Sequence, residues 1–264
     1  METGPASQDI ILYDNTAQHK SQKIMYILLA FLCIAIVVLT IFVIATQVQR
    51  PNSAEDIGNY YYYLMTGDAK TGELSESTVR NPYAKIMIHS NNQEEYEKFY
   101  NTAGEMLEQL KKRPHDENLD GVFELQLTYL DLFRFNNWVM SENSSGLIDL
   151  SISGDSTEKK ELAARIDAYI NSEDELVKSY ATLAKDMIGQ ASRLVGYYRS
   201  VGCDGKSANE LIGCKVDKNE KYRIANYYNG IEAGFTEMKS VVDSMLPVFL
   251  ESARSLTEKG ALSE

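Results

Sequence analysis

Five residues, in the turn between two predicted helices and at the start of the second helix, could place oxygen atoms around one cation. Residues 116–121 follow the pattern D-x-[DN]-x-[DN]-G, in which alternate side chains point to one centre and the glycine permits a sharp turn. The next two ligands would be a carbonyl oxygen and a carboxylate at the ninth position. The candidate ligands are Asp116, Asn118, Asp120, Val122 and Glu124. This spacing is typical of the first half of a calcium-binding loop.

The same segment departs from a complete calcium loop at two positions. The twelfth position is Leu127, where tight binding requires a bidentate glutamate, and Leu119 is unusual inside such a loop. These departures favour a solvated turn between two helices, in which Asp120 caps the second helix, and a weak calcium site is the alternative. The sequence therefore predicts no cofactor, with weakly bound calcium as the alternative.

Two cysteines outside the apolar segment flank a predicted hairpin. Cys203 and Cys214 enclose the sequence CDGKSANELIGC, whereas Cys33 lies within the apolar segment. If the hairpin is exported, Cys203 and Cys214 are predicted to form a disulfide. The alternatives are two free thiols in a reducing compartment or two metal ligands, although two thiols with no histidine nearby leave a metal site incomplete.

Other residue patterns that carry chemistry are missing or incomplete. The chain has three histidines, His19, His89 and His115, and none belongs to an H-E-x-x-H motif. No G-x-S-x-G motif occurs either. The sequence Gly205-Lys206-Ser207 resembles the end of a phosphate-binding loop, but Ser200 stands where that loop needs its first glycine. The sequence therefore predicts that the protein is not an enzyme.

An uncharged apolar segment of 23 residues, 24–46, predicts a transmembrane helix. At about 1.5 Å per residue it spans roughly 34 Å, enough for a hydrocarbon core of about 30 Å. A cleavable signal peptide is the alternative, but its apolar region is typically about 7–15 residues long. We therefore expect the segment to be retained as a signal-anchor.

The charges beside the apolar segment predict its orientation. His19, Lys20 and Lys23 precede it, whereas Arg50 follows it and is soon followed by acidic residues. An excess of lysine and arginine in short flanks marks the cytoplasmic side. We expect a single-pass protein of the cell membrane with a cytoplasmic N-terminus and an extracytoplasmic C-terminal domain.

The remaining sequence predicts helices. Ser53 and Asp56 resemble a capping box that begins a helix over 54–66, and Gly67 is its predicted stop. Apolar residues at steps of three and four predict further helices, with a loop over 142–156. These helices cover 93–113, 120–141, 157–201 and 219–257. Pro247 predicts a kink near Asp243 in the last one.

The predicted 157–201 helix carries a seven-residue apolar repeat that is interrupted only by Glu173 and Gln190. Such a repeat is typical of coiled-coil packing, so we expect one long helix, whereas a cap near Asn171 and Ser172 would divide it into two. The two polar residues are either a ligand site or a device that sets the register of packing.

The predicted fold is all-α, with one N-terminal transmembrane helix and an elongated antiparallel bundle of four to five helices. The predicted domains are a cytoplasmic tail over 1–23, the transmembrane helix over 24–46, a juxtamembrane linker and short helix over 47–66, and the extracytoplasmic bundle over 67–264. No internal repeat is evident in the sequence.

The charge of the chain restricts its partners. It has 26 basic and 38 acidic residues, a net charge of −12, which argues against nucleic acid. With no catalytic motif, we expect a non-catalytic interaction or scaffolding role at the cell surface, with a protein partner or self-association. The alternative is an extracytoplasmic ligand-sensing domain that acts through a partner membrane protein.

Overall fold

The computed structural model describes residues 15–70, 72–152 and 157–261. Every regular element in these three ranges is a helix, and they contain no strand. The chain divides into two units between Arg50 and Pro51. The all-α fold class is therefore confirmed.

The first unit contains a single described helix, α1, Asn15–Gln49. Its stretch Met25–Val43 is 19 residues long, carries no charge, and exposes its side chains along its whole length. At about 1.5 Å per residue this stretch is long enough to cross a bilayer. A signal sequence near an N-terminus passes the same test of helix length and hydropathy. The structure therefore shows one apolar helix that is able to span a membrane.

The second unit is a helical bundle with four long helices. They are α5 (Gln93–Lys112), α6 (Asp120–Ile152), α8 (Glu175–Ser200) and α10 (Lys218–Ala261). The shorter helices are α2 (Ala54–Thr66), α3 (Glu76–Arg80), α4 (Tyr83–Ile88), α7 (Thr157–Ala168) and α9 (Ala208–Ile212). Short 3₁₀ turns at Glu117–Leu119 and Tyr169–Asn171 precede α6 and follow α7.

Helices α5 and α6 are antiparallel. Lys111 near the end of α5 pairs with Glu124 near the start of α6. Glu97 near the start of α5 pairs with Arg134, which lies further along α6. The two pairs therefore occur in opposite order along α5 and α6, as expected for antiparallel helices.

Helices α6 and α8 run in the same direction because α7 returns the chain between them. The Tyr129 hydroxyl of α6 donates to Asp174, which caps the start of α8. Further along both helices, the Ser192 hydroxyl of α8 donates to Ser151 of α6. The two contacts therefore occur in the same order along α6 and α8, as expected for parallel helices.

Helix α2 begins and ends at the residues that the sequence indicated. The Ser53 hydroxyl accepts a hydrogen bond from the Asp56 backbone N–H, and the Asp56 carboxylate accepts one from the Ser53 backbone N–H. Gly67 ends the helix with φ +70°, a left-handed conformation that costs glycine little. The predicted capping box and stop are confirmed.

Aromatic side chains from all the long helices fill the core. The largest fully buried ones are Tyr60, Tyr96, Phe123, Tyr129, Phe133, Phe135, Tyr180 and Phe249. Phe249 of α10 meets Phe133 of α6 edge to face, with ring centroids 5.2 Å apart. Such pairs favour one relative placement of two helices because the ring edge is positive and the ring face negative.

A fully buried glutamine joins three helices inside this core. The Gln126 side chain accepts a hydrogen bond from the Tyr60 hydroxyl at 2.8 Å and donates one to the Phe249 carbonyl at 2.7 Å. It also donates to the hydroxyl of Ser252. Because these partners lie on α2 and α10, Gln126 of α6 fixes the position of α6 relative to both.

The predicted loop over 142–156 is wrong for its described part. Helix α6 continues to Ile152 through one non-helical residue, Asn143, whose φ is 53° and ψ is −148°. Asparagine tolerates positive φ better than most residues, which explains how one residue can kink the helix without ending it. Leu147 and Ile148 beyond the kink are buried, and their burial favours helix over loop. Residues 153–156 lie outside the described ranges.

The predicted single helix over 157–201 is also wrong. It is divided into α7 and α8 at Ser172–Asp174, and the Asp174 carboxylate accepts hydrogen bonds from the backbone N–H groups of Leu176 and Val177, both at 2.9 Å. This N-cap satisfies donors that a continuous helix would satisfy within itself. Helices α7 and α8 both pack on α6, so an apolar face is needed on both sides of the break.

Helices α8 and α10 approach closely at Gly234. A Cβ atom on Gly234 would lie 2.6 Å from Cγ of the buried Met187, closer than packed atoms allow. The glycine therefore makes room for the α8 side chain. The predicted helix over 219–257 is confirmed, since α10 runs through Pro247 without interruption. The predicted kink near Asp243 stays a prediction.

Candidate functional site

The predicted calcium-binding turn is held by hydrogen bonds within itself. The Asp116 carboxylate caps the 3₁₀ turn by accepting from the backbone N–H and from the side-chain amide of Asn118, at 2.9 and 2.8 Å. Val122 lies inside helix α6, where its carbonyl belongs to the helix. Glu124 forms an ion pair with Lys111. The side chains that would have to bind calcium therefore already have hydrogen-bond or ion-pair partners within the chain.

His115 engages another of the candidate ligands. Its Nε2 lies 2.8 Å from the Asp120 carboxylate, and its Nδ1 lies 2.6 Å from the Arg113 carbonyl. Both partners are acceptors, so both ring nitrogens donate only when the imidazole is protonated. Burial lowers the pKa of His115, but these hydrogen bonds outweigh it, and the pKa is raised above its ordinary value.

Four of the five candidate ligands, Asp116, Asn118, Asp120 and Glu124, therefore have partners within the chain. Among the residues of the described ranges, no group of three or more histidine, cysteine, aspartate or glutamate side chains is arranged to hold a metal ion. Calcium binding at Asp116, Asn118, Asp120, Val122 and Glu124 stays a prediction from the sequence, and the observed contacts describe a capped turn.

The hairpin between α8 and α10 contains a disulfide between Cys203 and Cys214, whose Cα atoms are 6.0 Å apart. Cys203 is buried, and Leu211 of α9 is fully buried in the same core. The bond thus ties the hairpin to the ends of two long helices. Cys33, in α1, is unpaired and exposed.

The phosphate-loop resemblance in this hairpin has a structural explanation. The Ser207 hydroxyl accepts a hydrogen bond from the Glu210 backbone N–H at the start of α9. The Glu210 carboxylate accepts one from the Lys206 backbone N–H at 2.8 Å. The Glu210 carboxylate therefore already binds a backbone N–H group of this segment.

The two polar residues on the predicted apolar stripe are separated by the break between α7 and α8. Glu173 lies exposed in the break itself. Gln190 lies half-buried on α8, facing Gly230 of α10. The structure does not bring Glu173 and Gln190 together in one site.

A groove of about 450 Å³ lies between α5 and α6. A separate space of about 330 Å³ lies beside α7, and Asn101 and Arg134 line both spaces. The groove is open at Gly104, where a Cβ atom would meet no other atom within 4 Å.

The walls of this α5–α6 groove carry fixed charges of both signs. Arg134 is held by Glu97 at 2.8 Å, and Asp131 is held by Arg165 at 2.7 Å. In the neighbouring space beside α7, Lys159 lies 5.1 Å from the centre of the Trp138 ring. Because these side chains are held in place before any partner arrives, little order would have to be gained on binding.

A second, smaller pocket of about 220 Å³ lies between the α4–α5 connection, α6 and α10. It is lined by the adjacent residues Asn136 and Asn137 of α6, by Met140, and by Lys239 of α10. Asn136 and Asn137 are both about 1% exposed. We call this space the Asn136 pocket.

Neither the groove nor the Asn136 pocket was predicted from the sequence. The Asn136 pocket is assembled from helices far apart in the chain, and the groove forms between neighbouring helices from residues that follow no known motif. One signal was present: Asn136 and Asn137 are consecutive amides in a strongly apolar helix, where a buried polar group needs a partner or a ligand.

Comparisons of this chain with protein-family models, with curated proteins and with solved structures found no match.

Proposed function

We propose that this protein is a single-pass membrane protein whose helical bundle lies outside the cytoplasm and binds a partner protein without catalysing a reaction. The observation that carries the proposal is the α5–α6 groove, a pre-formed and charge-lined surface on a bundle that follows an apolar helix.

The apolar helix supports a membrane anchor. The 19 residues Met25–Val43 exceed the length of about 7–15 apolar residues that is typical of a cleaved signal peptide. Their exposed side chains favour a lipid surrounding, since lipid is the solvent in which such a helix is stable. The basic residues before the apolar stretch and the acidic residues that follow Arg50 favour a cytoplasmic N-terminus.

The disulfide supports export of the bundle. Disulfides form and persist in oxidising compartments, whereas cytosolic thiols are usually kept reduced. The pair Cys203–Cys214 therefore agrees with the orientation that the flanking charges favour.

The groove supports an interaction role. There is open space beside Gly104 in this groove. The lining includes the acidic residues Glu105 and Glu108 and the basic residues Lys112 and Arg134. Fixed charges of both signs give specificity toward a complementary protein segment more than they give raw affinity.

A photo-cross-linking experiment in intact cells tests this role. With p-benzoylphenylalanine in place of Asn101, which is exposed and lines the groove, we expect a discrete cross-linked protein. The matched control replaces Asn226, which is also exposed but lies on α10 and does not line the groove. Gly104→Gln fills the groove and is expected to remove the adduct while the helix content is retained. Identical adducts from positions 101 and 226, or none from either, would contradict the proposal.

A second candidate function is ligand sensing through a partner membrane protein. The Asn136 pocket favours it, because a buried amide that lines a solvent-connected space is a feature of ligand sites.

A further inference from the structure

One segment of α6, Asn143-Ser144-Ser145, matches the acceptor pattern N-x-[ST] for an N-linked glycan. No other asparagine of the sequence is followed two positions later by serine or threonine. The pattern depends only on residue types. Its use as an acceptor also depends on the exposure of the asparagine, on the local backbone and on the side of the membrane.

The side chains of this segment are accessible and have no partners in the described chain. Asn143 is exposed, and Ser144 and Ser145 are half-buried. None of the three side chains forms a hydrogen bond with the described residues, whereas Ser141 and Ser151, on either side of them in α6, donate to carbonyls of their own helix, both at 2.9 Å. The Asn143 amide can therefore form a new bond without the loss of an existing contact.

The backbone at Asn143 also suits an acceptor. In a regular helix, residues two positions apart do not face each other, so the amide at 143 and the hydroxyl at 145 would point to different sides. Asn143 interrupts the helix with φ 53° and ψ −148°, and it is the one non-glycine residue of the described ranges with a positive φ. The interruption therefore removes the restraint that a continuous helix would impose on this pair of groups.

The bend at Asn143 is part of the fold. A Cβ atom on Gly146 would lie 2.6 Å from Cβ of Glu142, so the glycine permits the residues on either side of the bend to approach closely. Leu147 and Ile148, which follow directly, are buried. Packing therefore fixes the inner side of the bend, and Asn143 is exposed on its outer side.

We propose that Asn143 carries an N-linked glycan. The donor is an oligosaccharide joined to a lipid through pyrophosphate, and a membrane-bound transferase binds both substrates. A bond forms between Asn143 Nδ2 and the anomeric carbon of the first sugar, while the bond between that carbon and the pyrophosphate oxygen breaks. The amide nitrogen loses one proton, and the lipid pyrophosphate leaves. This inference rests on the proposed export of the bundle, because the transfer takes place on the exported side of a membrane.

Two neighbouring serines provide a matched test. The full chain is translated in the presence of endoplasmic-reticulum membrane vesicles, which contain the donor and the transferase. We expect one discrete increase in apparent mass that peptide-N-glycosidase reverses. Ser145→Ala removes the required hydroxyl and should abolish the increase. Ser144→Ala changes the middle position, which accepts any residue except proline, and should retain it. Loss of the increase in both variants, or in neither, would overturn the inference.

Two added acceptor patterns separate this inference from the proposed orientation. Gln93→Thr completes the pattern at Asn91, which is exposed and lies outside the helices of the bundle. Pro5→Asn completes it with Ser7, ahead of the apolar stretch. We expect glycans at 91 and 143 and none at 5. A glycan at 91 without one at 143 would overturn the inference and leave export intact. A glycan at 5 alone would reverse the orientation and overturn both proposals.

Mass spectrometry of the protein purified from its own membranes tests whether the site is used. We expect added sugar masses on the proteolytic peptide that contains Asn143. Because the side chain of Ser145 has no hydrogen-bond partner in the described chain, the purified Ser145→Ala and Ser144→Ala variants without glycan should melt at the same temperature, so a difference in glycosylation does not reflect misfolding. A peptide found only at its unmodified mass would overturn the inference.

Discussion

Replacing Gln126 with methionine is expected to lower the free energy of unfolding by about 2–3 kcal/mol, because a buried hydroxyl loses its acceptor. Methionine keeps the length and flexibility of glutamine, so packing changes little. The Tyr60 hydroxyl, which is fully buried, then has no partner, and the tie from α6 to Phe249 of α10 is lost. For a domain of this size the melting temperature should fall by roughly 4–12 °C.

Two further variants make this prediction specific. Gln190→Met changes the same residue type at a half-buried position of α8 and is expected to change stability by less than about 0.5 kcal/mol. Tyr60→Phe combined with Gln126→Met removes both partners, so the double variant should recover about 1 kcal/mol or more relative to the additive sum. Circular dichroism melts of the full chain in detergent measure these differences. Equal melting temperatures for Gln126→Met and Gln190→Met would show that Gln126 does not join the three helices.

Opening the disulfide is expected to cost about 3 kcal/mol, because the reduced hairpin gains conformational freedom in the unfolded chain. The bond closes a loop whose ends are 11 residues apart. Reductant should therefore lower the melting temperature of the natural chain by roughly 6–12 °C. The double variant Cys203→Ala with Cys214→Ala should melt at the lowered temperature whether or not reductant is present.

Cys33 provides the control for this measurement. It is unpaired and lies in α1, outside the bundle, so Cys33→Ser should respond to reductant as the natural chain does. A thiol titration of the unreduced, unfolded protein should detect one thiol, that of Cys33. Three reactive thiols and a melting temperature indifferent to reductant would contradict the disulfide.

The elements that the sequence predicted correctly are those with local causes. Ser53 and Asp56 cap α2 through atoms within three residues of each other, and Gly67 ends it through its own backbone conformation. The periodic apolar faces of α5 and α10 were also visible, because each of these helices packs on its neighbours along one side. For such elements, neighbouring residues contain most of the information.

The elements predicted wrongly have two different causes. The segment after residue 141 was predicted to be a loop, but burial of Leu147 and Ile148 against the rest of the bundle favours helix beyond Asn143, so tertiary packing overrides the local pattern there. The break before α8 has a local cause, because Asp174 caps the backbone N–H groups of Leu176 and Val177. The apolar repeat over 157–201 concealed this break, since the repeat continues on both sides of it.

The candidate sites show the same division between local and distant causes. The spacing of Asp116, Asn118 and Asp120 follows a metal-binding pattern, yet these side chains cap the turn or contact His115. The Asn136 pocket has no motif, because its wall from α10 lies far from α6 in the sequence. Only the chemistry of a buried amide in an apolar helix pointed toward it.

Protease treatment of intact cells tests the central claim of a retained anchor and an exported bundle most directly. The full chain carries an N-terminal tag, and proteinase K is added from outside. We predict loss of the bundle and survival of a tagged, membrane-bound fragment that ends near Arg50, the boundary between the two units. Removal of the tag with the bundle protected would reverse the orientation, and an untagged bundle released from the membrane would show that α1 is cleaved as a signal sequence.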